Sequence, residues 1–103
     1  MSGFAAIVEP SRRRILDQLR TGDSDVGGLV ATLGLSQPLV SKHLKVLRDA
    51  GAVDVEIAGR RRVYRLARDP LPDVLAWVQP YAARWSSSLD LLERALDHDQ
   101  EEL

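Results

Sequence analysis

From Phe4 to Leu19 the apolar residues Phe4, Ile7, Val8, Ile15, Leu16 and Leu19 recur at helical spacing, broken by Glu9-Pro10-Ser11. Proline suits the first turn of a helix, where its missing N–H is not needed. The pattern therefore predicts a short helix ending near Val8 and a second starting around Pro10. Thr21-Gly22-Asp23-Ser24-Asp25 reads as a loop ending in good N-cap residues. Val26 to Leu33 follows as a third helix with Leu29, Val30 and Leu33 on one side, although Gly27 and Gly28 weaken its propensity, and Gly34 ends it. Ser36 is the N-cap of a fourth helix with Pro38 in its first turn, running to about Ala50 and closed by Gly51. Helical geometry puts Leu39, Val40, Leu44, Val46, Leu47 and Ala50 on one broad side, and Gln37, Ser41, Lys42, Lys45, Arg48 and Asp49 on the other.

After Gly51 the period changes. Val53, Val55 and Ile57 alternate with Asp54 and Glu56, Ala58-Gly59 signals a turn, and Tyr64 and Leu66 alternate with Val63 and Arg65. This predicts a two-stranded hairpin whose tip and second strand carry Arg60, Arg61 and Arg62, with Arg65 and Arg68 beyond. Residues 70–98 return to helical spacing through Leu71, Val74, Leu75, Val78, Tyr81, Ala82, Trp85, Leu89, Leu92 and Leu96. Pro80 lies inside this run and predicts a kink or break close to Gln79, and Ser86-Ser87-Ser88 is a poor helix stretch that suits a solvent-facing turn. At ~1.5 Å per residue the apolar stripe would extend ~35 to 40 Å, more than a small domain covers by itself, so it is expected to meet another chain.

With 103 residues, 45% of them hydrophobic, the chain fits one globular domain. The lack of cysteine excludes disulfides, thiolate metal sites and a cysteine nucleophile. No apolar run approaches the ~20 residues of a membrane span, and the amino end lacks a signal-peptide layout, so a cytoplasmic location away from membranes is expected. The net charge of −1 conceals an asymmetry. Residues 36–68 contain eight basic and three acidic groups, whereas residues 69–103 contain two and eight. A basic middle in a nearly neutral chain suits a face presented to a polyanion.

The order of elements is that of a helix-turn-helix at about residues 26–50, in which one helix braces a second that enters the major groove of DNA, followed by a hairpin wing at about 52–67 and a C-terminal helix at about 70–98. Gln37 and Ser41 can read base edges, Lys42 and Lys45 can reach phosphates or guanine, and Ser36 joins them at the head of the helix. Arg60, Arg61 and Arg62 suit a phosphate ladder or a minor groove, since adjacent like charges are otherwise costly to hold together. By contrast, Arg12, Arg13 and Arg14 are expected to be helix-surface charges with local acidic partners such as Glu9 and Asp17. His43 is read as a structural, hydrogen-bonded histidine at the edge of the apolar side.

The stretch Leu35-Ser36-Gln37-Pro38-Leu39-Val40-Ser41-Lys42-His43-Leu44-Lys45-Val46-Leu47-Arg48-Asp49-Ala50-Gly51, with Gly59-Arg60-Arg61-Arg62-Val63-Tyr64-Arg65-Leu66, resembles the ArsR family of bacterial winged-helix repressors. Glu9-Pro10-Ser11-Arg12-Arg13-Arg14-Ile15-Leu16 resembles that family's second-helix opening, so the likeness covers about residues 5–67. It implies a mainly α winged helix-turn-helix with a small β-hairpin, binding a palindromic operator in double-stranded DNA as a homodimer and repressing transcription until an inducer releases it. The implied interface joins the first and last helices, which assigns Phe4, Ile7, Leu75, Val78, Tyr81, Trp85, Leu89 and Leu92 to it. Many members sense metals, through cysteines before the recognition helix or His and carboxylate ligands on the last helix. Residues 26–33 contain no Cys, His or carboxylate, and the last helix offers one histidine, in Asp97-His98-Asp99 at an acidic end. The segment Trp77-Val78-Gln79-Pro80-Tyr81, with Trp85 and Leu89, resembles a metal-independent subgroup, so no metal or cofactor is expected. An aromatic-lined gap around Trp77, Tyr81 and Trp85 that holds a small-molecule inducer is the second reading of those residues, after a dimer core. A rival of another class is a winged-helix scaffold that recruits a protein and binds little DNA. An enzyme is the least supported, because no nucleophile is paired with a base and no Gly-rich phosphate loop appears.

Overall fold

Capping residues set the helix boundaries. In the computed structural model, which describes residues 2–101, the Ser2 side chain accepts from the Ala5 N–H to start α1 (Gly3–Ile7). The Glu9 carboxylate accepts from the Arg12 N–H at 3.1 Å to start α2 (Pro10–Thr21), with Pro10 in its first turn as expected. Asp25 caps α3 (Val26–Leu33), and Ser36 caps α4 (Gln37–Asp49). Between them Gly34 takes φ 69°, a left-handed conformation costly for a residue with a Cβ, while its N–H bonds the Val30 carbonyl and closes α3.

The strands form a three-stranded antiparallel sheet of order β1-β3-β2, with β1 at Ser24–Asp25, β2 at Val53–Ala58 and β3 at Arg61–Leu66. The hairpin register runs from Val53 opposite Leu66 to Ala58 opposite Arg61. The two-residue loop Gly59-Arg60 is possible because Gly59 takes φ 65°. Where the residue pattern predicts two strands, Ser24 and Asp25 add a third by pairing with Tyr64 and Val63. Two residues are too few to show an alternating pattern, so this non-local pairing leaves no trace in the sequence.

The core gathers Ile15 and Leu19 of α2, Leu29 of α3, Val40, Leu44 and Leu47 of α4, and Ala6, Ala52, Val53 and Tyr64. The buried positions of α4, Val40, His43, Leu44 and Leu47, follow an i, i+3, i+4, i+7 stripe. Leu39, expected on the apolar side, is 38% exposed. It lies on the flank of that stripe, about a quarter turn from its axis. Ile57 keeps the strand alternation but is 71% exposed, because the hairpin tip extends beyond the core. Truncating a fully buried residue such as Leu44 to Ala would cost about 2–5 kcal/mol, enough to compromise a domain this size.

By internal contacts the chain divides after Asp73. In the first unit, the Asp73 carboxylate accepts from the Gly3 N–H at 2.9 Å. The second unit is the continuation of α5 (Pro72–Glu101), which runs through Pro80 as one helix, so of the expected kink or break the break does not occur. A proline inside a helix removes one i→i−4 bond, and here the flanking turns carry the helix across it. Nor is Ser86-Ser87-Ser88 a turn, since the Ser87 and Ser88 hydroxyls donate back to the Ala83 and Arg84 carbonyls at 3.1 and 3.0 Å, a bonding pattern compatible with a helix. The side chains of His98 and Asp99 lie outside the described residues.

Candidate nucleic-acid interface

Burying one stripe of α4 turns the opposite face outward, so Gln37, Ser41, Lys42, Lys45, Arg48 and Asp49 are all exposed. Ser36 is exposed too, but its hydroxyl already works as a cap, accepting from the Leu39 N–H at 3.3 Å. Beside this face lies a cleft of about 400 Å³, lined by Val26 of α3, Ser41, Lys45, Arg48 and Asp49 of α4, and Arg62 and Tyr64 of β3. Three cations, Lys45, Arg48 and Arg62, on two separate elements thus converge on one space, with Asp49 the single carboxylate among its lining. Such a set of donors is suited to phosphate oxygens. Of the residues expected to contact DNA, the cleft unites Ser41, Lys45 and Arg62. Ser36, Gln37, Lys42, Arg60 and Arg61 lie outside its lining.

The arginine triplet at the hairpin is divided by the local backbone. Arg60 sits in the turn, and strand alternation sends Arg61 and Arg62 to opposite faces of β3. Arg62 shares its face with Tyr64 and reaches the cleft. Arg61 meets Asp25 instead, its Nε donating to Asp25 Oδ2 at 3.1 Å and a terminal nitrogen lying 2.9 Å from the same oxygen in an ion pair. Asp25 Oδ1 accepts from the Gly28 N–H at 2.8 Å. That backbone bond, reinforced by the Arg61 guanidinium, holds the Asp25 carboxyl below the usual carboxylate range. Further along β3, Arg65 forms a cross-strand ion pair with Glu56.

The other triplet is used differently. Arg12 donates to the Ala6 and Ala5 carbonyls at 2.5 and 3.1 Å, Arg13 to the Ile7 and Val8 carbonyls at 2.7 and 3.2 Å, and Arg14 to the Leu33 carbonyl at 3.0 Å. Their hydrogen-bond partners are carbonyls near the carboxyl ends of α1 and α3, not the carboxylates of Glu9 and Asp17. Those ends carry unsatisfied acceptors and partial negative charge. His43 belongs to the buried stripe and not to its edge. Its nearest polar neighbour is Glu9 Oε2, 3.6 Å from Nε2, and its buried Nδ1 has no hydrogen-bond partner among the described residues. His43 is therefore structural, but the expected hydrogen bond is not formed.

Sequence reasoning puts Arg48 on the polar face without assigning it to the site, and misses the link from Asp25 to the wing. The wheel position of Arg48, one turn beyond Lys45, is the signal that could have found it. No sequence signal pairs Asp25 with Arg61, 36 residues apart. On α5, Leu75, Val78, Tyr81, Trp85, Leu89 and Leu92 are exposed by between 37% and 67%, so a continuous apolar face is presented. The Trp77 and Tyr81 rings on this helix pack 5.1 Å apart at 46°. On α1, Phe4 is 41% exposed and Ile7 half-buried. Among the described residues no helix is long and apolar enough to cross a membrane, and no group of three His, Cys, Asp or Glu gathers to hold a metal.

Three helices around a core, an exposed recognition helix and a hairpin joined to a three-stranded sheet define a winged helix-turn-helix DNA-binding domain. Residues 9–55 match the model of the bacterial regulatory protein arsR family. The transcriptional repressor SdpR of Bacillus subtilis is 31% identical over 86 residues, which span 84% of this chain and 96% of that protein. The chain belongs to the arsR family. It is also 44% identical over 70 residues to the HTH-type transcriptional repressor SmtB of Mycobacterium tuberculosis, a match covering 68% of this chain and about half, 52%, of that protein. Among solved structures, the homodimeric winged helix-turn-helix DNA-binding domain Mb0332 from Mycobacterium bovis superposes with a TM-score of 0.63 at 29% identity, covering 77% of this chain and 73% of that one.

Proposed function

We propose that the chain is a dimeric, sequence-specific transcriptional repressor that places the amino half of α4 in a major groove and the arginine end of the β2–β3 hairpin on flanking DNA. The observation carrying this reading is the convergence of Lys45 and Arg48 with Arg62 on one cleft. A sugar-phosphate strand divides each major groove from the neighbouring minor groove. That strand must pass between two protein elements occupying those grooves, and a cleft rich in cations between α4 and β3 is suited to receive it. Gln37 and Ser41 take base edges, while Lys42, Lys45, Arg48, Arg60 and Arg62 take phosphates.

A second copy covers the α5 face formed by Leu75, Val78, Tyr81, Trp85, Leu89 and Leu92, with Phe4 and Ile7 of α1 joining the interface. The extent of that exposed apolar face supports this, as does the homodimeric Mycobacterium bovis relative. Twofold symmetry then sets two α4 helices in successive major grooves about 34–36 Å apart, on a palindromic operator. Residues 1–103 act as one winged-helix domain with α5 as its dimerisation helix. The absence of Cys, His and carboxylate from residues 26–33 favours release by a signal other than a metal bound there.

Selection of bound sequences from random duplexes tests the reading. On the selected site, Gln37→Ala should relax the preference at one base pair per half-site by about 1–3 kcal/mol. Equal loss on selected and random duplexes would refute the base-reading role. Sedimentation as a monomer at concentrations where the chain binds DNA would refute the dimer.

A further inference from the structure

Asp25 serves two elements with its two oxygens. Oδ1 caps α3 through the Gly28 N–H at 2.8 Å, and Oδ2 accepts from Arg61 Nε at 3.1 Å and lies 2.9 Å from an Arg61 terminal nitrogen in an ion pair. The sheet register imposes this meeting. Asp25 lies opposite Val63, and Arg61 is two residues along on the same face of β3, a diagonal neighbour within reach of a long side chain. The pair is accessible, with side-chain exposures of 68% for Arg61 and 32% for Asp25, so a polyanion approaching the wing meets both charges together.

Sequence-independent grip on DNA grows with the number of phosphates that protein cations neutralise, because each neutralisation releases counterions. Arg60 and Arg62 have no carboxylate partner among the ion pairs of the described residues, whereas Arg61 has one at contact distance. A phosphate that drew Arg61 away would leave the Asp25 carboxylate uncompensated and facing the duplex. We propose that Asp25 withholds Arg61 from the DNA backbone, so that the wing grips duplexes through Arg60 and Arg62, and that removing the Asp25 charge turns Arg61 into an additional phosphate contact. Asp25 is on this account a positioning residue that limits the hold on arbitrary DNA, where competing non-specific sites are abundant. The inference rests on the DNA-binding reading above.

The test compares the full chain with Asp25→Asn, Arg61→Ala and the double variant, by fluorescence anisotropy on one random-sequence duplex over a fourfold range of salt. Asn is about as good an N-cap as Asp, so Asp25→Asn removes the charge and keeps the start of α3. Asp25→Ser provides the same charge removal with a different cap if the Asn variant melts early. Asp25→Asn should bind more tightly at low salt, and its log K against log salt should steepen by about 0.9, an extra loss of roughly 3-fold across the range. Arg61→Ala alone should leave the wild-type slope in place, and the double variant should return to it. An unchanged or shallower slope for Asp25→Asn, or a slope flattened by Arg61→Ala alone, overturns the proposal. Arg60→Ala separates the two levels. If wild type shows a salt slope that Arg60→Ala flattens while Asp25→Asn changes nothing, only the role of Asp25 is lost. If wild type shows no salt-dependent duplex binding, the DNA reading falls and takes this inference with it.

Discussion

Arg12-Arg13-Arg14 and Arg60-Arg61-Arg62 are the same tripeptide in two settings, and the fold uses them in opposite ways. The first lies in the opening turns of α2, just after α1 ends, and successive side chains fan around the helix to reach carbonyls of Ala5, Ala6, Ile7, Val8 and Leu33. There the cations complete helix ends whose carbonyls lack donor partners. The second lies at a hairpin turn, where alternation separates its members into a turn residue, a partner for Asp25 and a wall of the cleft beside α4. A run of like charges in a sequence thus says little about a polyanion until it is known which donors the fold has already used.

The largest expected effect breaks the first triplet. Arg12→Ala removes two bonds to α1 carbonyls and should lower stability by about 1.5–3 kcal/mol, with a visibly lower melting temperature, while the salt slope of duplex binding by the folded fraction stays at its wild-type value. A melting temperature equal to wild type would mean that these bonds contribute nothing net. The second triplet should show the reverse. Arg62→Ala should leave the melt within about 0.5 kcal/mol of wild type and flatten the salt slope by about 0.9, on every duplex tested. Loss confined to one sequence would place Arg62 on a base instead. The smallest effect is in acid. Because the Asp25 carboxyl is held below its ordinary range in the folded chain, its contribution to stability is complete above the unfolded-state value and is lost as pH falls through the folded one. Denaturant melts of wild type and Asp25→Asn should therefore converge below about pH 4, and a constant difference down to pH 2 would disprove the linkage.

The local parts of this fold are legible in the chain. Pro10, Ser36, Gly34 and Gly59 mark boundaries through the conformations and caps they favour, and the period change after Gly51 marks the hairpin. The outward face of α4 follows from the stripe that it buries, which is why the amino-acid pattern places Ser41 and Lys45 there, but it places Gln37 and Lys42 there equally and does not tell which of the four line the cleft. What escapes is non-local. The pairing of Ser24 and Asp25 with β3, the Asp25–Arg61 contact and the carbonyls awaiting Arg12, Arg13 and Arg14 all depend on where the folded chain returns on itself. Pro80 shows a different limit, since the local penalty that predicts a kink or break does not say which, and the helix on either side outweighs the break.

The short strand β1 has a mechanical consequence. A hairpin anchored only at its base would behave as a free arm, but here Ser24 and Asp25 stitch its second strand to the residues that open α3. Torque applied at the tip is passed directly into the helical scaffold, and the span from that tip to α4 is gauged by sheet hydrogen bonds, as between the jaws of a caliper.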